Sequence, residues 1–392
     1  MPATRRVLSA AAALFALAIA LGPAATMQGQ ARPRARALGV PFTGTPGPLN
    51  AITDVAGVEV GHTTIVRGEG PLVVGQGPVR TGVTAVLPRG KRWAPVFAGW
   101  FAGNGFGEMT GAPWVVEGGV LGGPVMITGT YSVGAVRDAV NSWFHESLKQ
   151  EIPWHQPVVG ETSDAFLNDG QGQHVTKAHT FAALDGAKAG VVAEGNVGGG
   201  TGMVAHGFKG GIGTSSRVTG GHTVGVLVQA NYGTRASLTI AGVPVGREIT
   251  GAERRRAPAP RAPPSDRDGS IIVVVATDAP LLPHQLERLA RRVPMGIARL
   301  GGTASNGSGD IFIAFSTANP GAAAETGATT LTWLPNGDLT PFFDATVEAT
   351  EEAIVNALVA ADTMTGVNGN TAYALPHDQV RALLRKYRRL GP

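Results

Sequence analysis

Five consecutive β-branched residues, Ile271-Ile272-Val273-Val274-Val275, constrain this chain more than any other stretch. A strand with one wet face would alternate apolar and polar residues. An unbroken run fits a central strand buried on both faces. Directly before it, Gly251 to Asp268 reads GAERRRAPAPRAPPSDRD. That segment is rich in Pro and Arg and nearly free of large apolar side chains. It cannot bury enough surface to order itself, so a solvated, mobile linker is expected. Linker and core strand meet at Gly269-Ser270. A Ser at the start of a buried strand is firmly held, and a preceding Gly permits unusual backbone angles. Under those conditions a hydroxyl can attack its own preceding carbonyl. Cleavage there would leave Ser270 as a new N-terminus, whose α-amine, titrating near pH ~8, could act as base for its own hydroxyl. The plainer alternative is an interdomain linker with Ser as a strand-start residue, and this stretch alone leaves both open.

The first residues have the pattern of a secretory signal, Met1 to about Ala31. Arg5 and Arg6 form a basic start and Val7 to Leu21 an apolar run, followed by small residues with plausible cleavage sites near Ala25 or Ala31. The apolar run is short for a membrane span of ~20 residues. An exported, periplasmic or secreted protein is therefore expected. With no cysteine, disulfides, Cys-bound zinc and Cys nucleophiles are excluded, so stability must come from a sizeable core. The overall charge of +4 conceals an asymmetry. Met1 to Arg36, the linker and Gln379 to Pro392 carry +5, +2 and +5, which leaves the rest of the chain at −8. The body is acidic, which argues against a nucleic-acid groove.

Strands are expected at Thr81 to Leu87, Trp93 to Trp100, Pro124 to Thr130, His222 to Tyr232 and Ile311 to Phe315. Helices are expected at Ser132 to Leu148, Pro283 to Val293, Phe343 to Ala361 and His377 to Leu390. Phe101 to Gly123 is Gly-rich and has no assigned element. Gly190 to Gly202 reads GVVAEGNVGGGTG. It lacks the Lys-Ser/Thr of a phosphate-binding loop and the spacing of a dinucleotide fingerprint, so a close-packed turn lining a cleft is expected. Strands outnumber helices and the helices are amphipathic, which favours sheets covered by helices on their outer faces.

The nine His residues do not fall at metal-ligand spacing, and no G-x-S-x-G elbow is present. Three features with chemical potential remain. Ser270 is the first. Asn231, at the end of a strand, could donate its amide to an oxyanion. Ser308 and Asp310, two apart in the loop SNGSGD, point the same way if that segment is extended. A hydroxyl and a carboxylate there could hold and polarise the Ser270 groups. Loop chemistry alone also explains Asn, Gly, Ser and Asp in that loop.

Eight stretches in register carry a resemblance to the L-aminopeptidase/D-esterases and β-peptidyl aminopeptidases, peptidases that cleave themselves to expose an N-terminal Ser. They are Leu49–His62, Gly103–Gly119, Pro157–Asp169, Glu194–Met203, Val226–Gly233, Asp268–Leu281, Asn306–Thr317 and Thr363–Pro376. The resemblance implies a four-layer α/β/β/α sandwich of the aminopeptidase/ornithine acetyltransferase type. It implies one hydrolase domain cut into an α chain (residues 32–269) and a β chain (residues 270–392), assembled as a homotetramer, without cofactor or metal. By the same resemblance Ser270 is the nucleophile, Ser308 and Asp310 assist it, Asn231 forms the oxyanion hole and Glu161 binds the substrate's free amine. Some members carry Glu at the Asp310 position. Some carry an aromatic residue two after the acid, where this chain has Ser163, a difference that bears on pocket size. The implied activity is hydrolysis of N-terminal aminoacyl amides or esters in small peptides, with D- and β-aminoacyl substrates in range. The rivals are an ornithine-acetyltransferase-like acyl transferase, which would use Thr where Ser270 stands, and a non-catalytic exported binding protein.

Overall fold

In the computed structural model the run of β-branched residues forms β11 (Ser270–Thr277), with every residue buried. The structure describes residues 33–391 apart from 254, 257–268, 323 and 325. The signal-like segment, Met1 to Ala31, and most of the linker lie outside the described residues.

Strand β11 is flanked on both sides. It pairs antiparallel with β10 (His222–Asn231) and parallel with β12 (Gly309–Ser316). The six-stranded sheet is completed by β9 (Gly211–Thr219) beyond β10, and by β3 (Val96–Gly105) and β4 (Val120–Leu121) beyond β12. A second, four-stranded sheet runs β1 (Glu59–Arg67), β2 (Val79–Leu87), β5 (Val125–Gly129) and β6 (Val158–Thr162). Two short pairs sit outside them: β7 (Val204–Ala205) with β8 (Phe208–Lys209), and β13 (Met364–Thr365) with β14 (Thr371–Ala372).

The pleat of β11 divides its side chains between two cores. Ile272, Val274 and Ala276 join Val86, Val125, Ile127 and Val158 of the smaller sheet in the layer between the sheets. Ile271, Val273 and Val275 face outward onto Leu286 and Leu289 of α5 (Pro283–Ala290), Ile297 of α6 (Val293–Arg299), and Ile354 and Leu358 of α7 (Thr340–Val359). A third core joins the outer face of the smaller sheet to α2 (Val133–Glu146) and α3 (Lys177–Asp185), through Val83, Met126, Val140, Trp143, Phe144 and Leu184. The order of layers is helices, sheet, sheet, helices, the four-layer α/β/β/α sandwich expected. Burying β11 on both faces is worth about 1.5–3 kcal/mol per Ile or Val side chain, which is why no polar residue interrupts the run.

The remaining helices are α1 (Ala112–Gly118), α4 (Val245–Glu248) and α8 (His377–Lys386). Several expectations are corrected. The Gly-rich stretch after Phe101 is structured: β3 continues to Gly105 and α1 follows, between glycines 111 and 119 in left-handed conformation. The helix expected over Pro283 to Val293 ends three residues early as α5, and Val293 begins a second helix, α6. Pro294, in the first turn of the second, has no N–H to continue the first. The GGG turn at Gly198–Gly200 is close-packed as expected, and it lines neither of the two large clefts described below. It is wedged between the sheets, where a Cβ on Gly199 would lie 2.1 Å from Gln229 Oε1 and 2.7 Å from the Ile127 carbonyl oxygen. The linker's first residues are also not solvated coil. Ala252 is buried, and Arg255 exchanges two 2.9 Å backbone hydrogen bonds with Thr371 of β14.

Candidate active site

Four strand ends meet at one cleft. Ser270 is the first residue of β11, directly opposite Asn231 at the end of β10 and opposite Gly309 at the start of β12. Glu161 comes from the end of β6 in the other sheet. Gly160 allows this approach, since a Cβ there would meet the Ile272 side chain at 3.2 Å. Gln229 ties the layers together. Its Nε2 donates to the Thr128 carbonyl at 3.1 Å and to Thr162 Oγ1 at 2.9 Å. The cleft, of about 960 Å³, is lined by Ser270, Asn231, Glu161 and Ser163 among others. A second cleft of about 1050 Å³, around Trp93, Trp154 and Thr317, lies beyond the far end of β12 and holds none of the candidate residues.

Ser270 is 7% exposed, and one backbone donor serves both ends of its junction. The Gly309 N–H donates to the Gly269 carbonyl oxygen at 3.1 Å and to Ser270 Oγ at 3.2 Å. The carbonyl before Ser270 is thereby polarised by the group that also holds the hydroxyl. Gly269 serves close approach rather than unusual angles. It is not left-handed, but a Cβ would lie 2.6 Å from the Asn231 carbonyl oxygen and 2.9 Å from Tyr232 Cα.

On either side of Gly309, Ser308 Oγ donates to Asp310 Oδ1 at 2.6 Å, as the two-residue spacing predicts. Both are almost fully buried. Burial pushes the Asp310 carboxyl up to about 6, against the stabilising Ser308 hydroxyl and Ile271 backbone N–H. Tyr232, next to Asn231, is buried with no hydrogen-bond partner on its hydroxyl among the described residues. Burial, and then the Asp310 charge, push its phenol well above the ordinary value.

Asn231 is oriented by two bonds. Its Oδ1 accepts from the Val204 N–H at 2.8 Å, and its Nδ2 donates to the Ser163 carbonyl at 3.0 Å. This fixes which end of the amide is the donor, and the NH2 carries a second hydrogen. Ser163 therefore contributes its backbone to the site, while its side chain is exposed. Glu161 is not a surface residue in a turn: it is 4% exposed at the end of a buried strand. Its Oε1 accepts from the Glu108 N–H at 3.0 Å and its Oε2 from the Thr130 hydroxyl. Burial raises its pKa above the ordinary carboxylate value, those two bonds oppose the rise, and the Glu108 charge adds to it. A buried, rigid carboxylate in a cleft is complementary to a cation.

Residues that sequence reasoning missed complete the walls: Phe106, Tyr131, Phe166, Arg256 and Asn370. They come from loops, from the short 3-10 turn Thr130–Ser132 and from the linker's start, and no periodicity marks them. The Gly309 N–H was equally hidden, because only the β11–β12 register brings it to Ser270.

A strand-borne Ser in a four-layer sandwich, facing an Asn amide and a buried carboxylate, defines a hydrolase of the N-terminal-nucleophile type. Comparison with known proteins agrees. Residues 50–372 match the model of Peptidase family S58. The chain is 56% identical to β-peptidyl aminopeptidase BapA of Sphingosinicella microcystinivorans over 95% of this chain and 96% of that one. It is 49% identical to β-peptidyl aminopeptidase BapA of Sphingosinicella xenopeptidilytica over 98% of both. Its fold is similar to that of the L-aminopeptidase D-Ala-esterase/amidase of Ochrobactrum anthropi, described as a prototype for the serine aminopeptidases and a variant of the Ntn hydrolase fold. The TM-score is 0.84 with 46% identity, covering 92% of this chain and all of that one. The chain belongs to peptidase family S58 and is an aminopeptidase of the N-terminal-nucleophile class.

Proposed function

We propose that this peptidase activates itself at Gly269-Ser270 and then removes N-terminal aminoacyl groups, with β-aminoacyl amides as the leading substrate class. The observation that carries the reading is the junction: Ser270 Oγ and the Gly269 carbonyl share the Gly309 N–H at 3.2 and 3.1 Å. In the self-cleavage step Ser270 Oγ bonds to the Gly269 carbonyl carbon and the Gly269–Ser270 C–N bond breaks. The proton passes from the hydroxyl to the departing amide nitrogen, with the Ser308–Asp310 pair as its carrier. Water then hydrolyses the ester, leaving a Gly269 carboxylate on an α chain (residues 32–269) and a free amine on a β chain (residues 270–392).

In the mature enzyme that amine takes the Ser270 hydroxyl proton as Oγ attacks the substrate carbonyl. Asn231 donates to the oxyanion, Glu161 pairs with the substrate's free amine, and water releases the acyl group. The names of the two Sphingosinicella relatives favour β-aminoacyl groups over L-α and D-α. The proposal extends to export, supported by the leader-like Met1 to Ala31, and to a tetramer of cleaved units, supported by the family resemblance. A panel of L-α-, D-α- and β-aminoacyl-p-nitroanilides, assayed with wild type and Ser270→Ala, tests it. Wild type should prefer the β members. Ser270→Ala should stay one chain and be inactive on all, because one hydroxyl serves both reactions. Activity in an uncut Ser270→Ala protein would remove Ser270 as the nucleophile toward substrate, and normal maturation of Ser270→Ala would remove it from self-cleavage.

A further inference from the structure

The peptide unit that serves Ser270 is held from its other side. Its N–H, on Gly309, donates to Ser270 Oγ and to the Gly269 carbonyl oxygen. Its carbonyl belongs to Ser308, and Asn104 Nδ2 donates to that oxygen at 2.5 Å. We propose that Asn104 is a positioning residue for self-cleavage, whose amide holds the Ser308–Gly309 peptide plane so that its N–H stays aimed at the Gly269–Ser270 junction. The inference deepens the self-cleavage reading above and rests on it.

A β-bulge puts Asn104 in place. Strand β3 carries one extra residue, Gly103, between the pairs Ala102–Ile311 and Asn104–Asp310. In a regular ladder Gly103 would stand opposite Asp310. The bulge brings Asn104 there instead, and bulges beside active sites commonly re-aim a side chain in this way. The same Nδ2 also donates to the Asn306 carbonyl at 3.2 Å, so one amide ties two carbonyls of the loop that leads into β12. The residues after Asn104 close over the peptide. A Cβ on Gly309 would lie 2.7 Å from the Phe106 carbonyl oxygen and 2.8 Å from Gly107 Cα. A peptide group is planar, so fixing its oxygen fixes the direction of its N–H. A donor on the carbonyl also polarises the N–H, since hydrogen bonds in a chain strengthen one another. During self-cleavage the Gly269 oxygen takes on negative charge, and the Gly309 N–H is the donor aimed at it. In the mature enzyme the oxyanion is the substrate's and Asn231 serves it, while the Gly309 N–H holds Ser270 Oγ. Asn104 therefore acts more on maturation than on turnover.

The test is the rate of maturation of refolded precursor on a denaturing gel, for wild type, Asn104→Ala, Gly269→Ala and the double variant, with circular dichroism to verify the fold. Asn104 is half-buried at a strand end, so truncating it opens no cavity in the core. Asn104→Ala should mature roughly ten- to hundredfold more slowly, a smaller loss than that of an oxyanion donor itself. Once mature, it should show a kcat lowered only a few-fold and an unchanged KM. In the Gly269→Ala background the scissile carbonyl has already left the Gly309 N–H, so the second substitution should slow maturation by no more than about twofold. Maturation of Asn104→Ala at the wild-type rate overturns the proposal. So does a slowing as large in the Gly269→Ala background as outside it, because the effect would then not pass through the Gly309 N–H. Asn104→Asp, of the same shape but without the NH2 group, decides if the Ala variant does not fold. A wild type that is never cut removes the self-cleavage reading and this one with it. A wild type cut at Gly269-Ser270 beside an equally fast Asn104→Ala removes the role of Asn104 alone.

Discussion

Asp310 is the side chain through which acidity should reach self-cleavage. Its carboxyl is pushed up to about 6 by burial. If the Ser308–Asp310 pair carries the Ser270 proton as proposed, the Asp310 carboxyl must first lose its own proton, which it does as pH rises through that value. Maturation of freshly refolded precursor should therefore be slow below pH 6 and level off above about 7. At pH 5 the rate should be roughly a tenth of its plateau, one unit below the titration. A gel time course across pH 5–8 checks this, and a flat profile would take Asp310 out of the proton path. Glu161 makes a separate prediction. Glu161→Gln should still cut itself, because that step has no substrate amine. It should lose roughly 30- to several-thousand-fold in kcat/KM on a free-amine substrate, the cost of breaking a partly buried ion pair. The comparison is with the N-acetylated substrate, and equal rates on both in wild type would deny Glu161 the role. Of the site's side chains, Ser270, Asn231, Ser308 and Asp310 stand out in the sequence by strand ends and a two-residue spacing, but those features alone leave a plain linker and loop open, and the resemblance supplies their roles. Glu161 needed the family resemblance. Arg256 and Tyr232 were not legible, since what defines them is a neighbour distant in sequence.

The strand β11 was readable as an element because five β-branched residues in a row have one use in a protein of this size. What surrounds its first residue was not, since register is a property of pairs of strands. Gly269 illustrates the difference. Its sequence context suggested freedom of backbone angle, whereas the structure uses its missing Cβ to seat the chain against the Asn231 carbonyl. Gly269→Ala should shift the scissile carbonyl off the Gly309 N–H, because the atoms it meets belong to backbone and cannot rotate away. Maturation should slow by an order of magnitude or more with the fold retained, as read by a gel time course alongside circular dichroism. Processing at the wild-type rate would show that this donor is dispensable. The seven-residue α1 escaped detection for a simpler reason: it is too short to show a helical period. The Gly198–Gly200 turn was legible as close-packed, but nothing local reveals that two sheets close over it.

At the scale of the whole molecule, the layered architecture followed from the balance of strands and amphipathic helices together with the resemblance. The distribution of charge, an acidic body with basic tails, argues by itself against a nucleic-acid role. The linker's composition marks a segment poor in large apolar side chains, but not that its first residues dock on β14 and enter the cleft; the rest of it lies outside the described residues. The central claim is that this architecture holds one peptide bond, Gly269-Ser270, against its own nucleophile. It is tested most directly by the N-terminal sequence of the smaller fragment of the purified protein. Self-cleavage yields a 123-residue chain, Ser270 to Pro392, beginning Ser-Ile-Ile-Val. A fragment that starts at any other residue, or an active enzyme that remains one chain, contradicts it.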